Sequence, residues 1–217
     1  MYKSNTLAEK KGGAIINDLD SLKIYDEFLT SCKIDRIQKI IAKYELFKLI
    51  IDKPGDIVEC GVHRGSGVYL YAKLQKVFRP NNLSKIIGFD FFGKSSNENM
   101  KFKDDQECVD EHSKSDDFRS EILSNLSKLD IDNIELIPGD VKYTTQKYKE
   151  KNLGFRISLL VLDVDNYEGT LNCLINLYDN VIKGGVIVLD EYSLRSYGES
   201  DAVDEFIKNK ILFGPGK

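Results

Sequence analysis

The chain has 217 residues, 41% hydrophobic and 30% charged, a length that suits one domain with a continuous core. With 31 Lys and Arg against 35 Asp and Glu the formal charge is −4, so no basic field exists to attract nucleic acid. No apolar run approaches the ~18 residues of a membrane span, and no apolar segment follows the polar stretch 1–11, so neither a membrane partner nor secretion is expected.

Residues 1–19 are polar, contain Gly12 and Gly13, and are expected to be flexible. Helices are predicted over Asp18–Thr30 and Asp35–Asp52, the second carrying an apolar stripe (Ile37, Ile40, Ile41, Tyr44, Phe47) that ends at Lys53-Pro54-Gly55. Asp56–Cys60 then reads as a short apolar strand running into a glycine turn, and Gly65–Phe78 as a helix. Further strands are predicted at Lys85–Asp90, Asn133–Ile137, Ile157–Asp163 and Gly185–Asp190. Helices are predicted at Asp117–Leu129, Val141–Lys151, Gly169–Ile182 and Asp201–Lys208, with Ile211–Phe213 as an edge strand. Near-continuous Val, Ile and Leu strands alternating with helices mean an α/β fold: a doubly wound, mostly parallel sheet, with residues 20–53 as N-terminal helices. The polar stretch 94–116 breaks this rhythm, and a loop of that length is expected to be functional, in the manner of a lid.

In such a sheet the ligand lies beyond the carboxyl ends of the strands. Glu59 and the turn Gly61–Gly67 lie at the end of the first strand, Asp90 at the second, Asp163 at the fourth, and Asp190-Glu191 at the fifth. The turn is G-x-x-x-G-x-G, and Glu59 stands where a pyrophosphate would pass, which disfavours a dinucleotide and hence an NAD-type oxidoreductase. Asp90 at the next strand end suits a ribose diol, so the ligand reads as a nucleoside without phosphates. Cys32, Cys60, Cys108 and Cys173 are scattered with no C-x-x-C pair, which argues against a zinc site or disulfides and fits a reducing cytosol. His63 and His112 are the only histidines, so a metal would be held by carboxylates.

The segment Gly55-Asp56-Ile57-Val58-Glu59-Cys60-Gly61-Val62-His63-Arg64-Gly65 resembles the first motif of the macrocin O-methyltransferase (TylF-type) family of class I S-adenosylmethionine-dependent methyltransferases. His63 stands at that motif's Trp, and Ser66 at its second Gly. Phe89-Asp90-Phe91-Phe92-Gly93 resembles the family's second motif, and Leu162–Thr170 its D-x-D-x-Y segment. Leu177-Tyr178 through Gly184-Gly185 to Asp190-Glu191-Tyr192 resembles its L-Y…G-G…D-D-Y stretch, with Glu191 at the second acid, and Ala202–Phe206 its closing helix. The likeness runs from about Arg36 to Phe206 and implies a Rossmann-like methyltransferase sheet. Such a sheet usually has seven strands, and with 26 residues after Glu191 it is expected here either to be truncated or to lack the family's C-terminal strands.

The resemblance implies an S-adenosylmethionine- and Mg2+-dependent O-methyltransferase in the cytoplasm, acting on a hydroxyl of a sugar or glycosylated small molecule. Whether the chain assembles into a homo-oligomer is left open. Glu59, Gly61, Val62, Arg64, Gly65, Ser66, Asp90, Phe91, Asp140 and Val141 are expected to hold the cofactor, with Asp140 facing the adenine amine. Asp163, Asp190 and Glu191 are expected to hold the cation, three carboxylates favouring Mg2+ over Zn2+. Asp165 is expected to be the general base, sharing a sheet face with Asp163 if the chain is still extended there. Its alternatives are that Asp165 only caps the next helix, or that His63 is the base. A silent cofactor-binding protein would be expected to lose the acids of the fourth and fifth strands, which this chain keeps, and a catechol-type methyltransferase would generally lack the E-C-G-V-x-R-G turn.

Overall fold

The computed structural model describes residues 18–93, 100–112, 117–194 and 198–213. Backbone contacts divide the chain into two compact units, Met1–Ile40 and Ile41–Lys217, so the division falls inside a helix. In the first unit α1 (Asp18–Ser31) is followed by the opening turns of α2 (Ile34–Ile50), where Asp35 places negative charge at the helix N-terminus.

The second unit is built on one sheet. Its strands are β1 (Asp56–Cys60), β2 (Ile86–Asp90), β3 (Ile134–Pro138), β4 (Ile157–Leu162) and β5 (Val181–Leu189). They lie in the order β3-β2-β1-β4-β5, and all four neighbouring pairs are parallel. The order reverses beside β1, which pairs with both β2 and β4, and the crevice for a ligand opens at their carboxyl ends.

The period-two alternation of the strands sorts their side chains between two cores. Ile57, Leu159 and Val161 face one side with Phe47 and Ile50 of α2, Tyr71 of α3 (Ser66–Phe78), and Ile122 and Leu126 of α5 (Arg119–Ser127). Val58, Cys60, Leu160 and Leu162 face the other, with Val141 of α6 (Val141–Lys151), Cys173 and Leu177 of α7 (Tyr167–Leu177), and Phe206 of α8 (Glu199–Phe213). Each fully buried Leu or Ile contributes roughly 1.5–3 kcal/mol, so the two layers hold the sheet without cross-links. All four cysteines are free thiols. No described helix is long and apolar enough to cross a membrane.

Three segments differ from expectation. A 3₁₀ turn at Tyr178–Asn180 ends α7 early, so β5 begins at Val181 and carries Gly184-Gly185 within it. The edge strand expected at 211–213 is instead the last turn of α8: Val203, Ile207 and Ile211 keep helical spacing, and the first breakers come only at Gly214-Pro215. Within the stretch 94–116, the segment Lys103–His112 is a helix, α4. Its sequence hides this, because helix-forming charges such as the Lys103–Glu107 pair (3.1 Å) dominate and little apolar periodicity remains. The rest of that stretch, like residues 1–17, lies outside the described residues except for 100–102.

Candidate active site

At the end of β1 the chain turns at Gly61, whose φ of 91° lies in the left-handed region. The Gly61 amide donates to the carbonyl of Phe89 (2.9 Å), and the Asp163 amide donates to the carbonyl of Cys60 (2.9 Å), so the ends of β2, β1 and β4 are stitched together at one point. A Cβ at residue 61 would lie 1.7 Å from the Asp163 carbonyl oxygen, and only glycine permits that approach. Glu59 is buried beneath the start of α3, and a Cβ at Gly67 would lie 1.7 Å from its Oε1. Its carboxylate pairs with Lys43 (3.4 Å) and accepts the Val68 amide, while Oε2 has no hydrogen-bond partner among the described residues. Burial raises the Glu59 pKa, against the pull of Lys43.

Asp90 locks this turn to β2. Its Oδ2 accepts the amides of Val62 (2.8 Å) and His63 (2.9 Å), and its Oδ1 accepts that of Phe92 (2.9 Å). Two N–H groups fill Oδ2, whereas Oδ1 keeps capacity for one more donor.

A cavity of about 280 Å³ opens here. Its wall includes Glu59, Gly61, Val62, His63 and Ser66 from the first turn, and Asp90 and Phe91 from the second. Val141 of α6, Val109 of α4, and Asp163, Asp165 and Asn166 beyond β4 complete it. Among the described residues the wall holds four carboxylates and no Lys or Arg. Phe92 turns into the core while Phe91 stays in the wall. Three residues expected at the cofactor are not in this wall. Arg64 stands 5.0 Å over the Phe118 ring, Gly65 is the left-handed N-cap of α3, and Asp140 caps α6 by accepting the Lys142 amide at 2.8 Å.

Beyond β4 the chain is not extended. Asp165 has φ 55°, so it meets Asp163 through a left-handed kink and not through strand alternation. The residue that caps α7 is Asn166, which accepts the Gly169 amide at 2.6 Å; Asp165 is released from that duty. Carboxylate oxygens of Asp163, Asp165 and Glu191 lie within 4.8 Å of one another, a grouping that can hold a cation. Asp190, expected among the ligands, is exposed at the end of β5 and lies outside this trio. Burial, with the charges of Asp190, Asp165 and Glu59, lifts the Asp163 pKa to about 7. Left-handed non-glycine residues follow four of the strands: His63, Phe92, Asp165 and Ser193. Such strain, of order 1–3 kcal/mol per residue, collects at functional sites.

Several participants escaped the sequence reading. Lys43 looked like any exposed helix lysine. Val109 lay in a segment read as loop, as did Cys108, whose thiol contacts Asp165 and is pushed up to about 12 by burial and that carboxylate. Glu199 opens α8 fully buried; its Oε1 accepts the Glu191 amide (3.0 Å), and Oε2 has no hydrogen-bond partner. Burial and the neighbouring acids raise its pKa to about 8. The signal available for Glu199 was only an acid in a first helical turn, which ordinarily reads as a dipole partner.

The chain is 27% identical over 158 residues to a demethyldecarbamoylnovobiocin O-methyltransferase from Streptomyces niveus, a match spanning 70% of this chain and 58% of that protein's length. In fold it is similar to the calicheamicin methyltransferase CalS11 (TM-score 0.70, 21% identity, 92% of this chain and 84% of that one). It is also similar to the O-methyltransferase NovP (TM-score 0.68, 23% identity, 83% and 74%). These likenesses establish a Rossmann-like methyltransferase fold. The family model for macrocin-O-methyltransferase (TylF) matches residues 30–215, and the chain belongs to that family.

Proposed function

We propose that the chain is an S-adenosylmethionine-dependent O-methyltransferase that methylates a hydroxyl of a sugar or glycosylated small molecule with the help of a divalent cation of the Mg2+ type. One observation carries the reading: among the described residues the cavity is walled by the carboxylates of Glu59, Asp90, Asp163 and Asp165 with no Lys or Arg. At the cofactor end, that field suits a nucleoside bearing a sulfonium and an ammonium, and opposes a dinucleotide whose pyrophosphate would pass Glu59. The relatives agree with this choice of acceptor. One acts, by its name, on demethyldecarbamoylnovobiocin, and CalS11 is described as a TDP-rhamnose 3'-O-methyltransferase.

The residues present fit the cofactor. The partnerless Glu59 Oε2 is an acceptor for an ammonium or hydroxyl donor, and the spare capacity of Asp90 Oδ1 is one for a ribose hydroxyl. Phe91 and Val141 offer apolar surface to a purine. The residues present also fit a hard cation, for which Asp163 and Glu191 would supply oxygen ligands, with Asp165 within reach and Asp190 close enough to add charge. When bound, such an ion supplies Lewis-acid polarisation of a hydroxyl. Asp165, freed from capping and set in the cavity wall, is assigned the acceptor proton as general base, with His63 of the same wall as its rival. The glycine turn would position the cofactor against its acceptor, and positioning of this kind contributes much of the rate of a displacement.

The test is a turnover screen of nucleotide sugars and glycosides with methyl-labelled cofactor, with Mg2+ and with EDTA. Label transfer that stops in EDTA and returns with Mg2+ is expected; full transfer in EDTA excludes the cation role.

A further inference from the structure

We propose that Asp105 is a positioning residue that docks α4 onto both loops carrying the candidate carboxylates, so that the α4 wall of the cavity and the carboxylate set assemble together. The proposal rests on the functional reading only for what the cavity and the trio hold.

Asp105 is fully buried on a helix whose other acids, Asp104, Glu107, Asp110 and Glu111, are exposed. Its Oδ2 accepts the amide of Tyr167 (2.8 Å), the first residue of α7 and two positions beyond Asp165. Its Oδ1 accepts the amide of Gly198 (2.9 Å), directly before α8. The next residue, Glu199, in turn holds the Glu191 amide. One carboxylate thus satisfies amides at the N-termini of two helices that have no intrahelical acceptor, and stands at the positive end of both dipoles. No cation is needed to hold it there.

The joint is closely packed. A Cβ at Gly198 would lie 2.6 Å from the Phe102 ring, 2.7 Å from Asp105 Oδ2 and 2.7 Å from Tyr167 Cβ. A second seam runs alongside, where Glu168 accepts the Lys101 amide (2.7 Å) and Phe102 packs on Tyr167. Val109, one turn from Asp105 on the same face of α4, is buried in the cavity wall. A displacement at Asp105 therefore reaches the cavity through Val109, the Asp163–Asp165 kink through Tyr167, and Glu191 through Gly198 and Glu199.

Two variants test this from opposite directions. Asp105→Asn keeps the volume but offers one acceptor oxygen to two N–H donors. Gly198→Ala keeps the carboxylate and wedges the joint with a methyl group. Hydrogen exchange of α4 is measured without ligand, S-adenosylhomocysteine affinity by calorimetry, and Mn2+ affinity with and without S-adenosylhomocysteine. Both variants are expected to speed α4 exchange about tenfold or more, the scale of one lost charge-assisted hydrogen bond. Both are expected to weaken S-adenosylhomocysteine binding by a similar factor. In the unaltered protein S-adenosylhomocysteine is expected to raise Mn2+ affinity, and in both variants that gain is expected to vanish. Glu107→Gln, on the outer face of α4, is expected to do none of this. Faster α4 exchange with both affinities and their coupling intact would reduce Asp105 to a structural cap and overturn the proposal, as would unchanged exchange. If the unaltered protein bound neither probe, the methyltransferase reading would fall, and the exchange data would still decide whether Asp105 docks α4.

Discussion

Gly61 and Asp163 meet so closely that a side chain at residue 61 would drive its first carbon to within 1.7 Å of the Asp163 carbonyl oxygen. This contact joins the ends of β1 and β4 at the point where the sheet order reverses, and it sets where the kink bearing Asp163 and Asp165 begins. Gly61→Ala must both move that backbone and take a left-handed φ, and it is expected to cost about 2–4 kcal/mol. Chemical denaturation measures this directly. A loss below about 0.5 kcal/mol, the range of ordinary surface changes, would show that the contact is not structural.

Lys43 and Glu59 form a second buried relationship. Lys43 lies 3.4 Å from the carboxylate and 5.5 Å from the centre of the Tyr71 ring. Removing one partner of a buried pair strands the other charge, so Lys43→Met is expected to cost about 3–5 kcal/mol at pH 8. Burial already raises the Glu59 pKa and Lys43 opposes that rise, so the variant raises it further. An acid raised in the folded state loses stability as pH rises, so the penalty is expected to be smaller at pH 5 than at pH 8. Adding Glu59→Gln to the variant is expected to recover most of the loss at pH 8. An equal penalty at both pH values would contradict the pairing.

Metal-free protein is expected to show an unusual pH profile. Asp163 is raised from 3.8 to about 7 and Glu199 from 4.5 to about 8. Between those limits the folded state holds more protons than the unfolded state, so stability falls as pH climbs from about 5 to 8. Thermal melts in EDTA are expected to give a higher Tm at pH 5.5 than at pH 8. Mg2+ is expected to raise Tm more at pH 8, where the carboxylates are ionised. A Tm that rises with pH in EDTA would contradict the placement of these two acids.

Asp165→Asn separates the two roles the trio leaves to this residue. As general base, its loss is expected to cut turnover by about 10² or more while Mn2+ and S-adenosylhomocysteine bind as before. A matching loss of Mn2+ affinity would make Asp165 a cation ligand first. Near-normal turnover, together with an inactive His63→Ala that still binds cofactor, would move the base to His63.

How much of this was legible follows residue type. β1 and α6 could be bounded to the residue because Pro54-Gly55 and Gly61 flank one, while Asp140 and the Asn152–Gly154 turn flank the other. α4 could not, since its signal is charge pairing and not apolar period. Spacing alone put Asp163 and Asp165 near one another but for the wrong reason, because φ at Asp165 is set by packing and not by the strand. Nor could it say that Asn166 and not Asp165 would cap α7, both being good N-caps. Lys43 and Glu59 lie on different elements, as do Glu199 and Glu191, at spacings that match no helix or strand period, and only the fold brings each pair together.

The most direct test is calorimetric titration of S-adenosylmethionine into the unaltered protein and Asp90→Asn, with NADH in parallel. Asp90 organises the first turn through the Val62 and His63 amides, and its Oδ1, which also accepts the Phe92 amide, is the acceptor assigned to the ribose. One molecule of S-adenosylmethionine per chain is expected to bind, with affinity at least about tenfold weaker in the variant and no heat from NADH. Tight NADH binding with no S-adenosylmethionine binding would contradict the account.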